Sequence, residues 1–192
     1  PHHCWNVGEH ILRTLTGVEK DKALRWAALL HDMGKPATRT TDEQGIDHFH
    51  GHAKLGAEMA NGILRRLKFD NDTRKRVVRL VEFHDDRQFP LNHRGVRRAI
   101  HRIGADLFPD YLKLARADVL AQNPALLPEK LARLSEIGRL YTEILEAQNC
   151  LSLKELAVTG RDLIDAGVKP GPTLGVILNA MLEVVIEHPE YN

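Results

Sequence analysis

The chain has 192 residues, 43% hydrophobic and 28% charged, with a formal net charge of +1. That is enough for one sizeable domain, or one domain with a small appendage; no apolar run approaches the ~18 residues of a membrane span, and no signal peptide opens the chain. Cys4 and Cys150 form no motif, which argues against a disulfide framework and for a reducing, cytoplasmic setting. The first residue is Pro1 rather than Met, which points to processing or to a fragment of something longer.

Helical period runs through the sequence and predicts an all-α fold. The apolar spacing predicts helices over 4–16 and 21–32, the second capped by Asp21 and stopped by Gly34 and Pro36. Between Pro36 and Gly51 the pattern changes. Thr38-Arg39-Thr40-Thr41 and Ile46-Asp47-His48-Phe49 flank Asp42-Glu43-Gln44-Gly45, as a short two-stranded hairpin near 38–49 or an ordered loop. Helices follow over 51–67, 71–84, 93–103, 107–121 (capped by Asp106) and 128–148, which opens on a tolerated first-turn proline, Pro128. After Asn149 the long pattern breaks. A helix over 161–166 capped by Thr159, a Gly/Pro turn at 167–172 and a last helix over 172–187 read as a small helical module, 150–192, behind a main domain, 1–149.

Charge is unevenly spread. Residues 65–102 hold twelve Lys/Arg against five acids, so this stretch is +7 and the rest of the chain −6. A local basic surface attracts phosphates even on a near-neutral protein, and a solvated helix face has the same composition.

Several ionisable residues fall on apolar helix stripes. His10 follows Val7 by three, and His31 follows Leu24 and Ala27 by seven and four. His52 precedes Leu55, Met59 and Ile63 by three, seven and eleven. His84 follows Val77 and Val81, and Asp118 follows Tyr111 and Leu114, at similar spacings. Five helices therefore point a His or Asp inward, and Asp32 joins them from a helix end. A lone inward histidine is ordinarily bonded to a carbonyl, but a buried carboxylate costs several kcal/mol unless paired, and a cation is the obvious partner. Imidazole and carboxylate ligate Zn, Mn, Fe, Co and Ni, while the lack of a Cys cluster argues against structural zinc.

His10, then His31-Asp32, then a distant Asp118 resemble the H…HD…D pattern of the HD-domain metal-dependent phosphohydrolases, and Leu29-Leu30-His31-Asp32-Met33-Gly34-Lys35 is similar to their LLHDxGK. A closer resemblance, over nearly the whole chain, is to the HD region of bacterial CCA-adding tRNA nucleotidyltransferases. It is carried by Pro1-His2-His3-Cys4-Trp5-Asn6-Val7-Gly8-Glu9-His10, Phe49-His50-Gly51-His52-Ala53-Lys54-Leu55-Gly56-Ala57, Ala115-Arg116-Ala117-Asp118, and the tail Leu153–Ile164 with Gly167–Pro172 and Gly175–Leu178. The Gly-Ser motif of that family's nucleotidyl-transferring head is absent from these residues, and with it the setting in which that head pairs two Asp-x-Asp carboxylates.

The resemblance implies an HD-domain helical bundle in which His10, His31, Asp32 and Asp118 hold a divalent ion, Mg, Mn, Ni or Co. His52 and His84 would hold a second ion, or grip the phosphate if only one binds. Asp32 would be central to catalysis. Lys35 would hold a non-bridging phosphate oxygen or merely complement a helix dipole. His48 and His50 are candidates for proton donation or phosphate contact, and Asp85 for orienting a ligand histidine. The implied activities are 2′,3′-cyclic phosphodiesterase, 2′-nucleotidase and phosphatase, on nucleotides or RNA ends. The alternatives are an RNA-binding scaffold, using Arg94, Arg97 and Arg98 to follow a tRNA backbone, and a stand-alone HD nucleotidase.

Overall fold

The computed structural model describes residues 5–192. Pro1 to Cys4, including the helix start expected at Cys4, lie outside the described residues. In chain order the elements are α1 (Val7–Gly17), α2 (Lys22–Leu30), α3 (Lys35–Thr38), β1 (Thr40–Thr41), β2 (Asp47–His48), α4 (His52–Arg66), α5 (Asn71–Phe83), α6 (His93–Ile103), α7 (Phe108–Leu120), α8 (Leu127–Glu146), α9 (Gly160–Asp165) and α10 (Pro172–Glu187). Single 3-10 turns cover Pro124–Leu126 and Pro189–Tyr191. The fold is all-α apart from an antiparallel hairpin that pairs Thr40 with His48 and Thr41 with Asp47.

Local chemistry sets the helix starts. Asp21 accepts the Leu24 N–H at 2.9 Å, and Thr159 and Asp162 form a reciprocal capping box. Two expectations are corrected. Asp106 does not cap α7: the cap position is Leu107, without a side-chain bond, and Pro109 fills the first turn. Pro36 does not merely stop α2; it opens the short α3, because its missing N–H falls among donors that have no intrahelical acceptor.

The chain packs as two units: residues up to Gln88 with Leu107–Ser135, and Phe89–Asp106 with Glu136–Asn192. In the first, α2 packs against α1, α5 and α7, and α4 against α5. The buried faces are Leu24, Ala27 and Ala28 of α2, Ala57, Ala60 and Leu64 of α4, Val77, Leu80 and Val81 of α5, and Phe108, Tyr111 and Leu114 of α7. In the second, α6 and α9 pack against α10. Val96, Ala99 and Ile100 of α6 are buried there, as are Cys150, Leu156, Leu182, Val185 and Ile186, which form one cluster. The 149/150 position lies inside this second unit.

Candidate metal centre

The helix ends explain the imidazoles. The last carbonyls of a helix have no N–H partner within it. His31 caps α2 and its Nδ1 donates to Ala28 O at 2.8 Å; His84 caps α5 and donates to Val81 O at 2.7 Å. His52, the first residue of α4, donates from Nδ1 to Phe49 O at 2.8 Å, again three residues back. His10, in the first turn of α1, reaches Ala121 O at 3.1 Å. A carbonyl can only accept, so all four Nδ1 atoms carry the hydrogen, and in the neutral rings all four Nε2 atoms present a lone pair.

Those Nε2 atoms converge on two carboxylates. His10 and His31 face each other at 3.2 Å, with Asp32 Oδ2 at 3.4 and 3.3 Å and Asp118 Oδ1 at 3.0 and 3.9 Å respectively. His52 and His84 face each other at 3.2 Å, with Asp32 Oδ1 at 3.6 and 3.5 Å. One Asp32 oxygen therefore serves each histidine pair. His10, His31, Asp32, His84 and Asp118 are at most 3% exposed; His52, its side chain 12% exposed, is the most open of the six.

This donor set fits a cation. Ligands about 2.1 Å from one ion lie ~3.0–3.4 Å apart for octahedral to tetrahedral angles, and most of the observed separations fall in or near that range. Asp32 Oδ1 is buried and has no hydrogen-bond partner among the described residues. Two imidazole lone pairs at 3.2 Å repel unless a proton or an ion lies between them. Burial pushes the His31 pKa down, but the Asp32 hydrogen bond and the Asp32 and Asp118 charges outweigh it, and the net direction is up. Burial and the His84 charge push His52 down. Burial raises both carboxyls, yet the imidazoles of His31 and His84 beside Asp32, and of His10 together with the Arg87 charge beside Asp118, hold them well below the usual carboxylate range whenever those rings are protonated.

The other expected residues divide. Lys35 is buried, with Nζ 2.7 Å from Asp32 Oδ2. His48 bonds Asp42 at 2.8 Å and stacks on His50 at the hairpin, and neither is a member of the two histidine–carboxylate groups. Asp85 is largely exposed and bonds Arg87 at 2.7 Å rather than a histidine. Arg97 is corrected: it is 7% exposed, and its Nε donates to Ile186 O at 2.7 Å, satisfying an orphan carbonyl at the end of α10 instead of facing RNA. Arg94 and Arg98 are exposed and both pair with Glu187. The basic run is split, residues 65–79 in the first packing unit and 94–102 in the second. Sequence reasoning missed Arg87, Gln122 and Lys130 around Asp118. Gln122 follows Asp118 by four, one turn along, and that spacing was the available signal.

A helical bundle that gathers four imidazoles and two carboxylates at one buried point has the makings of a metal-binding catalytic or regulatory domain. The sequence places it more narrowly: residues 37–192 match the family model for tRNA nucleotidyltransferase domain 2, and the chain belongs to that family. It is 36% identical over 196 residues to the A-adding tRNA nucleotidyltransferase of Deinococcus radiodurans, covering 95% of this chain and 43% of that protein. It is 38% identical over 164 residues to the CC-adding tRNA nucleotidyltransferase of Thermus thermophilus, covering 85% and 36%. The Multifunctional CCA protein of Actinobacillus pleuropneumoniae is 33% identical over 82 residues, covering 43% of this chain and 19% of that protein. The chain thus spans less than half the length of these curated relatives.

Proposed function

We propose that this chain is an HD-type metal-dependent phosphohydrolase acting on nucleotides or RNA ends, and that it corresponds to the HD-containing part of a tRNA nucleotidyltransferase. One observation carries the reading: four Nε2 lone pairs, each fixed by an Nδ1–carbonyl bond, converge on the two oxygens of Asp32. His10, His31, Asp32 and Asp118 would hold one divalent ion and His52, His84 and Asp32 a second. Mg, Mn, Ni or Co held there supplies Lewis acidity toward a phosphate oxygen and lowers the pKa of water. The chain contributes the rest. The carbonyl-tethered imidazoles keep their orientation without reorganisation. Lys35 holds Asp32 in place and sits where its ammonium meets a substrate phosphate oxygen. His48 and His50, at the hairpin, are the residues to test as proton donors. Residues 1–149 serve as the HD module and 150–192 as its family tail.

The test is hydrolysis of 2′,3′-cyclic AMP by chelator-stripped protein with each metal returned singly. Turnover that requires metal and disappears in Asp32→Ala supports the reading. Turnover that survives Asp32→Ala, or no turnover with any metal on cyclic or 2′-phosphate nucleotides, overturns it. A second reading, an RNA-holding module with tRNA as partner, is favoured by the names of the relatives and by exposed Arg65, Arg66 and Lys68 at the α4–α5 turn. It predicts salt-dependent tRNA binding that is indifferent to Asp32→Ala.

A further inference from the structure

Asp118 is surrounded by polar groups that metal ligation does not explain. Arg87 Nη2 reaches Asp118 Oδ2 at 2.9 Å and Asp85 Oδ1 at 2.7 Å. The Arg87 main chain is pinned in turn, its carbonyl accepting from Arg133 Nε and Nη2 at 2.9 and 2.7 Å. Gln122 Nε2 donates to Asp118 Oδ1 at 3.0 Å, and the Lys130 ammonium donates to Gln122 Oε1. In this cluster Arg87 Nη1 is buried and has no hydrogen-bond partner among the described residues. A buried charged donor without an acceptor is costly, and Arg87 is too firmly held to turn Nη1 to solvent. It shares a rigid planar fork with Nη2, so it lies one fork-width from the carboxylate that would face the ion.

The charge count points the same way. Asp32, Asp118 and Asp85 together balance Lys35, Arg87 and Lys130, so every divalent ion held by Asp32 and Asp118 leaves the cluster with net positive charge. Lys130 stands beside Arg87, its pKa pushed down by burial and then by the Arg87 charge. Crowded cations of this kind await an anion.

We propose that Arg87, with Lys130 beside it, is the anchor for a phosphate group of the substrate, Nη1 donating to a phosphate oxygen while Nη2 stays on Asp118. The identification of the bound anion as substrate rests on the phosphohydrolase reading; the anion site itself does not. Inorganic phosphate titrated calorimetrically into the Mg-reconstituted chain is the test, with elemental analysis of metal in each variant. Arg87→Met should bind phosphate about tenfold more weakly or worse, Arg87→Lys should recover part of the loss, and Lys130→Met should lose severalfold, all with metal content unchanged. Phosphate affinity equal to wild type in metal-saturated Arg87→Met, or no phosphate binding by the wild type, overturns the proposal. Loss of metal alone in Arg87→Met would also overturn it, making Arg87 only a positioning residue for Asp118. Lys130→Met carries the test if Arg87→Met does not fold. Absence of cyclic AMP hydrolysis with phosphate binding intact would sink the phosphohydrolase reading and leave this site standing.

Discussion

Replacing Gly34 with alanine puts a methyl where the backbone of α4 already lies. A Cβ on Gly34 would stand 2.2 Å from His52 O, 2.9 Å from Gly56 N and 3.1 Å from His52 C. The φ of Gly34 is −76°, which alanine adopts readily, so the penalty is contact alone. All three atoms are main chain in the first turns of α4 and cannot swing aside as a side chain would. Overpacking costs ~1–3 kcal/mol where neighbours can yield; here they cannot, and about 3 kcal/mol is expected. At about 2–4 °C per kcal/mol for a chain of this size, Gly34→Ala should melt ~6–12 °C below wild type. The same close approach seats His52 beside Asp32, so the variant should also weaken metal retention at the His52–His84 pair. Gly62→Ala is the control. It lies in the same helix with nothing within 4 Å of its Cβ position, and should stabilise by about 0.5–1 kcal/mol. Thermal melts by circular dichroism on chelator-stripped protein measure both. A Gly34→Ala melt within about one degree of wild type, or a Gly62→Ala loss of the same size, would refute the reasoning.

Three further outcomes follow from particular contacts. Arg97→Met removes buried bonds to the Ile186 and Glu187 carbonyls and should cost about 2–3 kcal/mol in denaturant unfolding, while leaving the salt dependence of any RNA affinity unchanged; a slope reduced by about 1 would return Arg97 to the RNA surface. The Asp21 carboxyl is held below its ordinary pKa chiefly by the Leu24 N–H, against partial burial and with help from Arg76. Its contribution is present above the unfolded-state value and is lost as pH falls through the lower folded one, so the stability gap between wild type and Asp21→Asn should close on acidification below pH ~4; a gap that widens there would contradict this. Metal at a hundred times its Kd should raise stability by about 2.7 kcal/mol, or ~5–11 °C, and chelator should abolish the shift in a melting experiment.

Much of this was legible in the sequence because the signals are local. Apolar spacing outlined the long helices, and the same spacing turned His10, His31, His52, His84 and Asp118 inward, where the fold brings them together with Asp32. What was not legible is long-range or depends on direction. Arg97 belongs to a run of arginines, and composition cannot tell the one that turns toward the α10 carbonyls from Arg94 and Arg98, which stay outside. Arg87 sits in a turn with no period to place it, and its partner Asp118 is thirty-one residues away. Gly34 read as a helix stop. Its tighter constraint, the approach of α4, comes from tertiary packing that no local pattern encodes.

The most direct test of the metal centre is the number of ions retained per chain after reconstitution and desalting, in the wild type, His52→Ala and Asp32→Ala. Two Asp32 oxygens facing two histidine pairs predict two ions, then one, then none. Equal metal content in wild type and Asp32→Ala would contradict a metal centre built on that carboxylate.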